Sequence, residues 1–409
     1  MPPPNLTVSE KAPEWNSEPM FELPSWGEPL MVVTILVASM IITRRKQFKI
    51  FGTSRVGYNS LLDDPDSARS SEELIWNENS DDEDPIASAK QYPRKRNCCF
   101  GLTVSTPNTS RFANNIHSRI LQKFPFLMEM FYWVITYLFY RMTKVVSQHI
   151  FSKIGIWDVA QENGLRLLEI EQLSFLSFLF PFTEHDVQHW FMDGHQSGLT
   201  YLNRFYALVH VPGTVGFIAW YYYVAPSHAT FANVRRTLTL TNLFAFVTFT
   251  FYPCMPPRLL PEEYGFLDSV RHDNAQSIWM SGNYVNSLAA MPSMHFGYSF
   301  VVGTTVLYHS GIFRRNFERN ETRKSLLWKC IYGTIAVSYP ITILMAIVAT
   351  ANHYWLDAIV AIFVCFLAYL CNRIFLKLLA VEDWLLWALR LERPIHSTGE
   401  RLRPRRNRT

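Results

Sequence analysis

The sequence predicts an all-α, polytopic membrane protein, with six membrane-spanning helices in its core and one further span before them. Three observations predict it. Apolar residues make up 49% of the 409 positions and are gathered into long blocks, while only 18% of positions are charged. That pattern is too apolar for a soluble domain. Twelve Trp and nineteen Tyr crowd towards block ends, as in Trp220-Tyr221-Tyr222-Tyr223, where aromatic rings sit at a membrane–water interface. Finally, the Arg and Lys clusters fall on one side of the alternating blocks, as the positive-inside rule requires.

Residues 1–29 are rich in Pro, Glu and Ser and are expected to be a disordered lumenal N-terminus. Residues 30–43 form the first span, closed by Arg44-Arg45-Lys46. A polar stretch, 44–118, carries the acidic run Asp81-Asp82-Glu83-Asp84 and a basic cluster from Lys90 to Arg96. It is expected to be a disordered cytosolic linker, either simply solvated or phosphorylated at Ser70, Ser71 or Ser80. The membrane-embedded domain runs over 119–380, and its spans are expected at 124–140, 201–223, 237–253, 294–313, 326–351 and 355–379. Between the first two of these, 159–180 has helical apolar spacing with interleaved charges, the pattern of an interfacial amphipathic helix. A basic cytosolic tail, 381–409, ends the chain.

Orientation follows from charge. Arg235-Arg236, the block from Arg314 to Lys324 and the tail Arg401 to Arg408 share one face, which is therefore cytosolic. Arg141, Lys144 and Lys153 fall on the other. Of three glycosylation sequons, only Asn5-Leu6-Thr7 is expected in the lumen; those at Asn108 and Asn320 are cytosolic. The six cysteines are scattered, without the spacing of a disulfide framework or a zinc site. Cys98-Cys99, beside a basic cluster, are free thiols or palmitoylation sites.

Two short segments sit where apolar blocks begin or end, and ionisable groups at such places are functional candidates. His353 and Asp357, spaced as His-x-x-x-Asp, share one face of a helix. A carboxylate on one ring nitrogen fixes the tautomer and frees the other nitrogen as nucleophile or base. In Met291-Pro292-Ser293-Met294-His295, Ser293 is a helix N-cap, and the amide groups behind it favour an anion beside His295. A third segment, Tyr252 to Pro261, brings Arg258 on a proline-stiffened exit from a span. Its planar fork suits phosphate oxygens, or else meets lipid headgroups.

Taken together, Phe251 to Leu260, Gly265 to Asp268, Ala289 to His295 and Thr350 to Asp357 resemble the type-2 phosphatidic acid phosphatase superfamily. They most resemble its branch of fungal inositol phosphorylceramide synthases and related bacterial membrane proteins, over roughly residues 165–372. The resemblance implies a six-helix transmembrane phosphatase/phosphotransferase core. It implies His353 as nucleophile, Asp357 as its orienting partner and His295 as acid and base. Arg258 and Ser293 would hold substrate phosphate. No metal and no cofactor are expected, and the partners are membrane lipids, a phospholipid and possibly ceramide, with no nucleic acid. The site is expected on the lumenal side of the Golgi or endoplasmic reticulum. Two departures stand out: the phosphatase branch carries a Lys where this chain has Phe251, and Ser-Arg where it has Ala346-Ile347. The resemblance thus favours transfer to an alcohol such as inositol. Hydrolysis of a lipid phosphate and a catalytically silent scaffold are the alternatives.

Overall fold

The computed structural model describes residues 26–46, 48–51, 94–97, 102–153, 155–173, 178, 180–269, 287–314 and 323–399. Asn5, residues 52–93, Cys98, Cys99, Asn320 and residues 400–409 lie outside these. The described chain is mostly helical, in keeping with the all-α expectation. In order come α1 (Gly27–Ile42), the hairpin β1 (Arg94–Asn97) and β2 (Thr103–Thr106), α2 (Ile116–Lys123), α3 (Phe126–Ile150), α4 (Ile156–Glu171) and α5 (Glu184–Met192). Then follow α6 (Gln196–Val224), α7 (His228–Phe251), α8 (Met294–Ser310), α9 (Leu326–Ala349), α10 (Trp355–Cys371) and α11 (Leu379–Ala388).

Serine starts three of the long helices. Ser227, Ser293 and Ser325 each accept the N–H three residues on, from Thr230, Phe296 and Trp328. Each satisfies one donor that the first helical turn leaves unpaired. Helix α8 is central: it packs against α9, α10, α7 and α6. Its closest neighbour is α9, and Gly303 sets that approach. A Cβ there would lie 2.5 Å from the Ala336 carbonyl oxygen and 2.7 Å from Cγ of Pro340. A residue lacking Cβ is what lets the two backbones meet.

Two stretches, Leu326–Ala349 and Trp355–Ala388, are long and apolar enough to cross a membrane. Helices α3, α6 and α7 run 25, 29 and 24 residues. Leu326, Leu327, Val337 and Ile341 of α9, with Phe363, Phe366 and Leu370 of α10, stand exposed on the outside. In water so large an apolar surface would drive association; against acyl chains it is an ordinary lipid face.

Differences from the sequence reading have local causes. The span expected to reach 379 breaks at Cys371, where a 3₁₀ stretch, Asn372–Leu378, leads into α11. Inside the expected linker, β1 pairs antiparallel with β2, and both pack on α11. Arg96 Nε lies 2.7 Å from the Asp383 carboxylate, and Arg393 Nη2 lies 2.8 Å from it. Residues 390–398, expected in the tail, lie against the bundle through backbone and side-chain hydrogen bonds. Gln122 donates to the Arg393 carbonyl (2.8 Å), the Ile395 N–H donates to Gln122 Oε1 (3.1 Å), and Ser397 Oγ donates to the Thr43 carbonyl (2.5 Å).

The Gly303 contact is testable. Gly303→Ala should destabilise the purified protein by about 1–3 kcal/mol, because a backbone carbonyl cannot swing away. Gly216→Ala, where a Cβ meets nothing within 4 Å, should leave the melting temperature in detergent unchanged or slightly higher.

Candidate active site

The segment that follows α7 leaves the helix at Tyr252 and is joined by backbone hydrogen bonds to three other parts of the chain. Cys254 N–H donates to the Leu288 carbonyl (2.8 Å), and Ala290 N–H donates back to the Cys254 carbonyl (3.2 Å). Met255 N–H donates to Ala160 of α4 (3.0 Å), and Arg258 N–H to Ala351 (2.9 Å). The blocks that the sequence shows as separate thus form one irregular layer above the starts of α8 and α10. Ser293 N–H donates to the Asp357 carbonyl (3.2 Å), tying those two starts together. Helix α4 presses on the layer at Gly164, where a Cβ would lie 2.7 Å from the Tyr354 hydroxyl and 2.8 Å from the Met255 carbonyl oxygen.

His353 and Asp357 are brought together, but not on a helical face. His353 lies in the turn between α9 and α10, and Asp357 stands at the third position of α10. The turn needs Ala351 in the left-handed region, φ 52°, which costs a non-glycine residue about 1–2 kcal/mol. Asp357 Oδ2 accepts the Tyr354 N–H at 2.9 Å and lies 3.3 Å from Nδ1 of His353. The same Nδ1 is 2.7 Å from the Ala290 carbonyl oxygen. A carbonyl only accepts, so Nδ1 carries the proton and Nε2 is the ring's open nitrogen. Both side chains are buried.

His295 opens α8, its ring centre 6.0 Å from that of His353. Tyr206 of α6 stacks on it at 4.0 Å between centres. Ser293 caps α8, as the sequence suggests, with its Oγ accepting the Phe296 N–H at 3.3 Å. Arg258 is half-buried beside this group, and two edges of its fork are engaged. Nε donates to Asn352 Oδ1 (2.8 Å), while Nη1 donates to both Asp268 oxygens (2.9 and 3.0 Å). Gln188 in turn clasps the backbone of Leu267, accepting from its N–H and donating to its carbonyl, which places Asp268.

Sequence reasoning missed several of these groups. Tyr206, Asn352 and Asp268 lie within the resembling stretch but carry no signal of their own. Glu171 and Glu184 were also missed: their Oε1 atoms accept the N–H groups of Leu356 and Trp355, each at 2.8 Å. Cys254 is buried close to Asp357 and Glu171, and burial first, then those carboxylates, push its thiol up. It is no thiolate nucleophile.

At the opposite end of the bundle, Glu129, His228 and His396 bring ligand atoms within 4.8 Å of one another. The two imidazoles are stacked, 3.4 Å apart and 7° from parallel, so their in-plane lone pairs cannot converge on one ion. Arg235 already holds Glu129 at 2.8 Å. Burial, with Arg235 and Arg393 nearby, pushes His396 down to about 3. The cluster is a neutral stack beside two cations, not a metal centre.

Residues 169–315 match the family model of the PAP2 superfamily. The match supports that superfamily. It spans Arg258, Ser293 and His295 and stops before His353 and Asp357. PAP2 superfamily members are phosphatases and phosphotransferases, so the match supports an enzyme of that kind. No curated protein and no solved structure matches the chain.

The stacking of Tyr206 on His295 yields a prediction. Such a pair contributes roughly 0.5–1.5 kcal/mol beyond simple burial. Tyr206→Phe keeps the ring and should retain turnover within about twofold, whereas Tyr206→Ala frees His295 and should lower kcat about three- to tenfold. Steady-state phosphoryl-group release by the purified variants measures both.

Proposed function

We propose that this protein is a membrane-embedded lipid phosphotransferase that moves an inositol-phosphate-type headgroup between lipids through a phosphohistidine. One observation carries the reading: both acceptors around Nδ1 of His353 point its proton inward and leave Nε2 as the attacking atom, with His295 facing it across 6.0 Å.

In the first step Nε2 of His353 attacks phosphorus, an N–P bond forms, and the P–O bond to the leaving lipid alcohol breaks. His295 gives that oxygen its proton. In the second step the acceptor hydroxyl attacks phosphorus, His295 takes up its proton, and the N–P bond breaks. Asp357 stabilises the positive charge on the His353 ring. The remaining edge of Arg258 and the N–H groups at the start of α8 meet the phosphoryl oxygens as charge spreads over them. Phosphate charge is thus met without a metal ion. The layer lies at one end of six core spans preceded by α1, and the positive-inside rule supports that end as lumenal, with the C-terminus cytosolic, in an endomembrane.

The reading is tested with the solubilised protein, headgroup-labelled phosphatidylinositol, and ceramide, diacylglycerol and water as competing acceptors. Label should pass to ceramide; its release only as inositol phosphate makes the enzyme a hydrolase that uses water as acceptor. His353→Ala should abolish turnover. Asp357→Asn keeps an oxygen for the Tyr354 N–H and should stay folded, with kcat lowered by about a hundredfold or more. Activity should persist in EDTA, and its restoration by Mg²⁺ after loss would overturn the metal-free route.

A further inference from the structure

The start of α10 gathers more negative charge than a buried site can hold. Glu171, at the end of α4, accepts the Leu356 N–H; Glu184, at the start of α5, accepts the Trp355 N–H; Asp357 accepts the Tyr354 N–H. All three residues are at least nine-tenths buried. A helix N-terminus offers only about half a positive charge. The Glu171 and Glu184 carboxyls accept from adjacent amides, those of Leu356 and Trp355, and Glu171 Oε2 is buried without a donor. Two carboxylates so placed cannot both ionise, and a single proton between them satisfies the unpaired oxygen.

We propose that Glu171 and Glu184 hold one shared proton and act as positioning residues, fixing the first turn of α10 and with it the His353–Asp357 pair. The proposal rests on the phosphotransfer reading of that pair. The groups facing the two carboxyls are known from each side. Asp357 comes from α10, with His353 bonded to it and the buried Tyr354 phenol just before it; Asp186 comes from α5; Cys254, a protonated thiol, comes from the segment after α7. Burial is the main cause that raises Glu171, and the neighbouring Glu184 is the next. Burial also raises Glu184, partly offset by its hydrogen bond from Glu171.

The sign of the pH effect follows. An unfolded chain gives up these protons in the ordinary carboxylate range, while the fold retains one. The pair's contribution to stability is therefore complete below that range and drains away as pH rises towards the raised folded value. Loss of the shared proton leaves two anions pushing apart beneath Trp355 and Leu356, and the His353 turn loosens on the alkaline side.

Glu171→Gln decides the matter, because an amide copies the protonated acid: its oxygen accepts from Leu356 and its NH₂ donates to Glu184. Three measurements are made on the purified full chain. Glu171→Gln should keep kcat within about twofold and lose the alkaline fall in melting temperature. Glu171→Ala should lower kcat about tenfold or more with KM little changed, as expected for a misplaced nucleophile. In infrared difference spectra the wild type should show a protonated-carboxyl C=O stretch that Glu171→Gln lacks. Glu171→Gln as damaging as Glu171→Ala, or a carboxyl band that survives it, overturns the proposal. If the wild type transfers no headgroup at all, the phosphotransfer reading fails, and the infrared band and the pH dependence of melting still decide the shared proton.

Discussion

The hydrogen bond from His353 to the Ala290 carbonyl is the contact on which the rest depends. It joins the turn before α10 to the segment before α8, and its donor and acceptor are both buried. A buried polar pair of this kind is costly to break, since the Ala290 carbonyl would lose its donor and Nδ1 would keep only the longer contact to Asp357. The remaining bonds of the layer repeat the same logic. Cys254, Met255 and Arg258 direct their N–H groups to Leu288, Ala160 and Ala351, so irregular backbone is paired without belonging to a sheet. That is the condition under which non-helical chain is tolerated within a helical membrane protein.

Electrostatics at the site are organised by pairing rather than by exposure. Arg258 is matched by Asp268, and His353 by Asp357. The Glu171–Glu184 pair is compensated by amide donors at a helix start. Each group that would be expensive alone is held by a neighbour that also fixes its direction. The result is a rigid frame around His353 and His295, and pre-set geometry of that sort is what transfer chemistry rewards.

Much of this was legible in the chain. Ser293 announces the start of α8, and the apolar blocks mark where the long helices lie, although α3 ends ten residues later and α7 begins nine residues earlier than expected. His353 and Asp357 stand out by spacing, although the reason they meet differs: a turn and a cap, not a helix face. What stayed hidden has a common cause. Ala290 acts through a carbonyl that every residue possesses. Glu171 and Glu184 act on N–H groups of Leu356 and Trp355, far along the chain, and in sequence they look like the polar face of surface helices. Arg393 and Ser397 sit in a stretch whose charge suggests solvent, yet their partners are particular groups supplied by Asp383 and Glu382 for the one and Thr43 for the other. Composition records the average environment of a segment and cannot show one such partner.

The packing of residues 390–398 has a consequence for how the molecule is made. His396 stacks on His228, and Ser397 bonds the end of α1, while Arg393 joins Asp383 near the Glu129–Arg235 pair. These residues leave the ribosome long after α1, α3 and α7. Order of synthesis is therefore not order of completion. The first helices must wait, with their ends unsealed, until the closing residues arrive, and a chain stopped a few dozen residues short would contain every candidate catalytic group yet lack its final fastening.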